Sequence, residues 1–373
     1  MDFFFTKIFY GVKMDLVDFL NSDVLELPKS WDDFEGSFED FLCKKIEEFL
    51  ILIDELKDEK NVDIIEEIMQ KKHSINELKI SILDTIKQVL HGDYRNAYQT
   101  ISSYLDKNKI NLLKLSRNDY FKKDYPLFRI RKSSDHLSKR SELFHIPFSL
   151  RQNVQSYRYS IAGLPCLYLG GSAYVCWEEL NKPNFNDVYI SQYLLQKEVK
   201  LIDFGIRPAY IAAHLLETQK TNMKGLIVSV ILFWPLIFAC SIKKKYKNTP
   251  FVYEYILPQL ILQWVTHNTD IDGIRYFSTN VMHYGFPHFY ANFAFPVKTI
   301  EGNGHCPSLI KTFHCTEATN MIILSTLRLN DNRPSLNESA TIKITETLEV
   351  PYSDTIFGRC ESELSSFRAG PIL

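Results

Sequence analysis

Between Phe128 and Leu180 the chain carries FRIR, then FHIPF, then RYSIAGLPCLYLGGSAYVCWEEL. Arginines, a tyrosine beside an arginine, a Gly-Gly turn and two consecutive glutamates thus lie close together in sequence. Guanidinium forks match phosphate oxygens in two-point contacts. A carboxylate nearby can face a positive charge that develops during reaction. The set suits an anionic ligand, and a nucleotide with a labile glycosidic bond answers both halves of the description.

The spacing says more. Residues 127–131 alternate, so a strand would place Arg129 and Arg131 on one face and Phe128 and Ile130 on the other. Such a pair is costly to bury unless it meets an anion, the alternative being solvated surface ion pairs. Glu178 and Glu179 stand about 100° apart on a helix. Glu179 shares its face with Ser172, Val175 and Cys176 and is the inward candidate, which leaves Glu178 for solvent. Ser278 closes IDGIRYFS, on one strand face with Ile274 and Tyr276; no GxSxG surrounds it, so it reads as a hydrogen-bond donor to ribose or phosphate. Tyr159 and Tyr168 are candidates to stack on a nucleobase or nicotinamide ring.

Other chemistries find little support. His305-Cys306 and His314-Cys315 have no zinc-knuckle spacing, and no metal is expected. There is no P-loop, no HExxH and no dinucleotide fingerprint. A net charge of −2 gives no reason to expect nucleic-acid binding. The seven scattered cysteines suit free thiols in a reducing cytoplasm, and Met1–Tyr10 lacks the pattern of a signal peptide. The apolar run from Gly225 to Cys240 is shorter than the roughly 20 residues of a membrane span and contains Pro235, so it reads as a buried core element.

These residues need a framework. Residues up to about 115 read as helical: Phe38, Phe41, Leu42, Ile46, Phe49, Leu50, Ile53 and Leu56 follow one helix face. Ser74 and Glu77 suggest a capping box opening a second helix, with Gly92 at its end and a further helix over 94–105. Beyond Asn118 strands are expected at 127–131, 164–169, 188–193, 199–204 and 274–278. Ser172 is placed to cap a helix reaching Leu180. Residues 254–265 read as a helix that Pro258 would kink, and the tail holds an alternating stretch over 341–350 followed by polar residues.

FRIR, RYSIAGLPCLYLGGS, WEEL and DGIRYFS, in that order and context, resemble the RES domain family over about residues 125–300. Characterised members are bacterial toxins that degrade NAD+ by hydrolysis or phosphorolysis on a fold similar to ADP-ribosyltransferases. The resemblance implies an α+β fold: an ADP-ribosyltransferase-like RES domain over 119–310, preceded by an α-helical N-terminal domain over 1–118 and followed by a C-terminal extension over 311–373. It implies NAD+ as substrate, with no cofactor, and cleavage of the nicotinamide–ribose bond. Carried over by motif, Arg129 or Arg131 is the family arginine, Arg158 lies in its second arginine region, Tyr159 or Tyr168 is its tyrosine, and Glu179 and Ser278 are its glutamate and serine. The arginines would hold the pyrophosphate, Glu179 would stabilise the ribosyl cation, and water or inorganic phosphate would attack. Implied partners are an antitoxin or regulatory protein and a second copy of the chain, with no membrane. Two alternatives are an ADP-ribosyltransferase and a non-catalytic NAD or ADP-ribose sensor. The chain departs from compact toxins in its long helical N-terminal region, and in the FHIPF, FWPLIFACS and EYILPQLILQW segments of a larger subgroup.

Overall fold

The computed structural model describes residues 14–115, 123–217, 223–246, 249–281, 288–327, 337, 340–343 and 348–373. Residues 1–10 and the expected boundary at 118/119 lie outside them. In chain order the helices are α1 (Leu16–Leu20), α2 (Phe38–Asp54), α3 (Val62–Leu90), α4 (Tyr94–Lys107), α5 (Lys109–Leu113), α6 (Ala173–Glu179), α7 (Pro208–Glu217), α8 (Lys224–Cys240), α9 (Ile256–His267), α10 (Pro307–Thr312), α11 (Met321–Thr326) and α12 (Ile356–Leu364). The strands are β1 (Pro126–Lys132), β2 (Cys166–Gly170), β3 (Val188–Leu195), β4 (Leu201–Phe204), β5 (Gly273–Phe277), β6 (Ala291–Pro296), β7 (Phe313–Cys315), β8 (Thr319–Asn320), β9 (Thr341–Lys343) and β10 (Glu349–Pro351).

The chain forms two compact units that alternate along the sequence. One comprises residues 1–114 and 207–247, the other 115–206 and 248–373. The expected uninterrupted 119–310 domain is therefore split, because 207–247 belongs with the helices. The reason is α8. A helix that is apolar on every side must be enclosed, and all fourteen residues from Ile227 to Cys240 are buried. Within the helical unit Trp234 stacks on Phe49 at 4.3 Å and on Phe238 at 5.1 Å.

The apolar face foreseen on α2 is buried, and the helix opens on a capping box in which Ser37 and Asp40 bond each other's backbone N–H. The box expected at Ser74 is absent. Ile64, Ile68, Ile75, Leu78 and Ile82 make one continuous buried face, so α3 runs through Ser74 without a break. Glu77 instead meets Lys107 at 3.0 Å. Gly92 follows α3 with φ of +80°, a left-handed turn that glycine adopts at little cost.

The other unit is built on a sheet of eight strands among the described residues. Its order is β4-β5-β6-β2-β1-β3-β7, with β8 also on β3, and only β4 and β5 run parallel. Leu127, Leu169, Tyr193, Phe293, Phe295 and Phe313 form the core on one face. Phe128, Ile130, Val188 and Ile190 pack on the other, against residues of α6, α11 and α12. Pro258 causes no kink: it sits in the first turn of α9, where its missing N–H is not needed. Strands β9 and β10 pair antiparallel, and residues 344–347 between them lie outside the description. The last helix, α12, buries Phe357, Cys360 and Leu364. Among the described residues no helix is long and apolar enough to cross a membrane.

Candidate active site

Register assigns the faces. Phe128 pairs with Gly170, Gly170 with Asn292, and Asn292 with Tyr276. Directly paired residues share a face, so these four form one row on the side covered by α6. Tyr168 and Ile274 meet across Ala294 in the next row. The turn from β2 into α6 is tight: a Cβ on Gly171 would lie 2.0 Å from the His288 carbonyl oxygen. Ser172 then caps α6, accepting from Val175 N at 3.1 Å and donating to the Phe289 carbonyl at 2.8 Å.

Glu179, at the far end of α6, is half-buried over this row. Its two oxygens accept from Asn292 Nδ2 at 2.7 Å and Asn280 Nδ2 at 2.9 Å. A carboxylate offers about four lone-pair sites, so these amides fix its plane and leave room for ligand hydroxyls. Glu178 does not face solvent as expected. It is 6% exposed, meets Lys182 at 3.2 Å and hydrogen-bonds Tyr174, which together with burial raises the Tyr174 pKa. The helix is only seven residues long and covered on more than one side, so both glutamates find protein. Only Glu179 reaches the asparagines.

A hairpin supplies the positive charge. Tyr157 and Ser160 pair backbone to backbone, and Gln259 of α9 donates to Ser156 Oγ, Tyr157 O and Ser160 O at 2.7, 3.0 and 3.2 Å. The hairpin presents Arg158, whose Nη2 donates to Thr279 Oγ1 at 3.2 Å and whose guanidinium lies 5.4 Å from the Tyr255 ring centre. Arg158 and Glu179 both act on Tyr255 and Tyr276. Burial raises both phenol pKa values, the carboxylate pushes further in that direction, and the guanidinium opposes it. The two charges therefore occupy one tyrosine-lined centre.

Ser278 is fully buried and accepts from Asn280 N at 3.1 Å. The triplet Ser278-Thr279-Asn280 thereby serves Arg158 through Thr279 and Glu179 through Asn280. Tyr159 is also fully buried, its ring 4.5 Å from that of Tyr276, so it braces the centre rather than offering an open stacking face. Tyr168 is half-buried and lies 6.1 Å from Tyr157, a ring that is 50% exposed.

The arginines of FRIR are placed differently from Arg158. They do share one side of β1, but it is the side of Leu127, opposite the row of Phe128 and Asn292. Arg131 is exposed and donates to the Glu142 carbonyl at 2.7 Å, which puts it outside the centre. Only one register pair joins β1 to β2. Past it, Arg129 Nη1 donates to the Tyr168 carbonyl at 2.7 Å, filling a position the ladder leaves unpaired. Burial lowers the Arg129 pKa, and its Nε has no hydrogen-bond partner among the described residues. Arg129 ties β1 to the backbone beneath the centre and makes no bond to Glu179.

Sequence reading missed Asn280, Asn292, Thr279, Tyr255 and Gln259. Asn292 carried a signal: it is a polar residue inside the apolar strand ANFAFP, paired with Tyr276. The others lie in turns or at helix ends, where only the fold reveals their neighbours. Among the described residues no group of three His, Cys, Asp or Glu side chains could hold a metal ion.

Fold and site together define an α+β protein with an interleaved helical unit and a glutamate–arginine–tyrosine centre. The chain is 30% identical over 355 residues to the protein named "Putative toxin YopC" of Bacillus subtilis (strain 168), an alignment spanning 91% of this chain and 77% of that protein. It belongs to the toxin-like family of that protein. No family model matches the chain, and no solved structure does.

Proposed function

We propose that this protein is a RES-type toxin that degrades NAD+ by cleaving the bond between nicotinamide and ribose. The observation that carries the reading is Glu179, held by Asn280 and Asn292 in a tyrosine-lined centre with Arg158. The name of the YopC relative supports the toxin half, and the order of FRIR, RYS, WEEL and DGIRYFS supports the RES half.

The chemistry suits such a centre. The C1′–N bond breaks with its electron pair going to the pyridinium nitrogen, so nicotinamide leaves neutral and needs no acid. Positive charge then grows on the ribose, and Glu179 faces it. A preorganised group of this kind is worth about 10² to 10³ in kcat. Arg158 takes an anionic oxygen of the diphosphate, and Tyr157 and Tyr168 offer ring faces to the nicotinamide. Water or phosphate forms the new bond to C1′ and gives up its proton to solvent. Ser278 acts through Asn280, and Arg129 through the backbone of Tyr168.

Incubating the purified chain with NAD+, with and without phosphate, tests the reading. ADP-ribose marks hydrolysis and ADP-ribose 1″-phosphate marks phosphorolysis. A modified protein band would replace the reading by ADP-ribosyl transfer. Binding without loss of NAD+ would replace it by a sensor.

A further inference from the structure

The C-terminal segment reaches α6 at the end opposite to Glu179. Glu361 of α12 is 2% exposed. Its Oε1 accepts from Ala173 N at 2.7 Å and from the Tyr352 hydroxyl at 2.5 Å, while Oε2 accepts from Asn337 Nδ2 at 2.9 Å. The Asn337 amide also donates to the Gly171 carbonyl at 3.2 Å. Ala173 is the first residue of α6, and its N–H belongs to the set that a helix cannot satisfy internally. The N-terminal end of the dipole favours a carboxylate there. Burying a carboxylate costs several kcal/mol unless it is fully bonded. A packing element alone would be served by an apolar side chain.

We propose that Glu361 is a positioning residue for Glu179, acting through Ala173 to set the angle of α6; this rests on the reading of Glu179 given above. Ser172 and Glu361 pin the near end of the helix, and Asn280 and Asn292 receive the far end. A helix of seven residues is about 10 Å long, so a tilt of about 6° moves its far end by about 1 Å. A displacement of that size in a reacting group costs about 10²-fold in rate. The segment beyond residue 337 is then part of the catalytic apparatus, although it contributes no atom to the centre.

The test uses the full chain with NAD+ as probe. Glu361→Leu, which removes the acceptor, is expected to lower kcat about 10²-fold with KM within threefold of wild type. Glu361→Gln keeps a neutral acceptor for Ala173 and should recover all but about tenfold. Cys360→Ala removes a buried side chain of α12 that bonds the Met321 carbonyl rather than α6, and should stay within threefold in kcat. If Glu361→Leu does not fold, Glu361→Gln decides. Turnover within twofold of wild type in the Glu361 variants overturns the proposal. So do losses no larger than that of Cys360→Ala, or a KM that changes as much as kcat. Hydrogen exchange at the amides of residues 176–180 separates this proposal from the reading it rests on. If wild type leaves NAD+ intact, the reading fails, and positioning stands only if Glu361→Gln speeds exchange there and Cys360→Ala does not.

Discussion

At the scale of residues, the centre depends on which of two neighbouring carboxylates the asparagines hold. Glu179→Gln is expected to lower NAD+ turnover by at least about 10²-fold while NAD+ affinity, measured by calorimetry, changes little. Glu178→Gln should leave turnover within a few-fold of wild type, because Glu178 bonds Tyr174 and Lys182 rather than the centre. The opposite ranking would assign the chemistry to Glu178. Helical periodicity singled out Glu179 but misjudged Glu178. A 100° offset separates two directions without saying how much protein lies along each. The same limit applies to FRIR. Alternation correctly placed Arg129 and Arg131 on one face, yet a strand pattern does not reveal which face carries the site. That information lies in the pairing of Gly170 with Asn292 and of Asn292 with Tyr276.

At the scale of elements, α3 offers a clean discrimination. Proline is tolerated at the first position of a helix but costs about 3 kcal/mol or more in its interior. Ser74→Pro should therefore lower the urea midpoint sharply, since α3 is continuous from Val62 to Leu90. An unchanged midpoint would restore a helix start at Ser74. The pairing of Ser74 with Glu77 looked like a start because capping motifs are local, whereas the buried face that overrides it extends over five turns. A second element-scale prediction concerns FHIPF. His145 is buried, bonds the Ile146 carbonyl through Nδ1 at 2.8 Å and accepts from Cys306 N at 2.9 Å. Burial pushes its pKa down to about 4. The unfolded chain, with the ordinary value near 6.5, then binds more protons between those limits, so stability is full above about pH 6.5 and falls as pH drops towards 4. The loss is on the order of 3 kcal/mol. Urea unfolding at pH 7 and pH 5 should show a smaller difference in His145→Asn than in wild type.

At the scale of the whole molecule, the two units share one chain in alternating pieces. Deleting residues 1–115 alone would strip α8 of the helical partners that enclose it, and that product should be insoluble. Deleting the same residues and replacing 207–247 by a flexible Gly-Ser linker should give soluble protein that still loses NAD+ in the product assay. Insolubility of both would show that the sheet unit depends on the helices. The general plan, helices first and a mixed sheet after, was legible because helix and strand periods differ. The return of 207–247 to the helices was not, since an apolar run says that it is buried and not by what. The alternation also bears on synthesis. Tyr276 and Asn292 follow α8 in the chain, and Glu361 follows both. The sheet thus gains the residues that hold Glu179 only after the helical unit has its last piece, and Glu361 comes later still. A chain released early from the ribosome would carry Arg158 and Glu179 without the asparagines that hold the carboxylate. On the proposed reading, such a fragment would leave NAD+ intact.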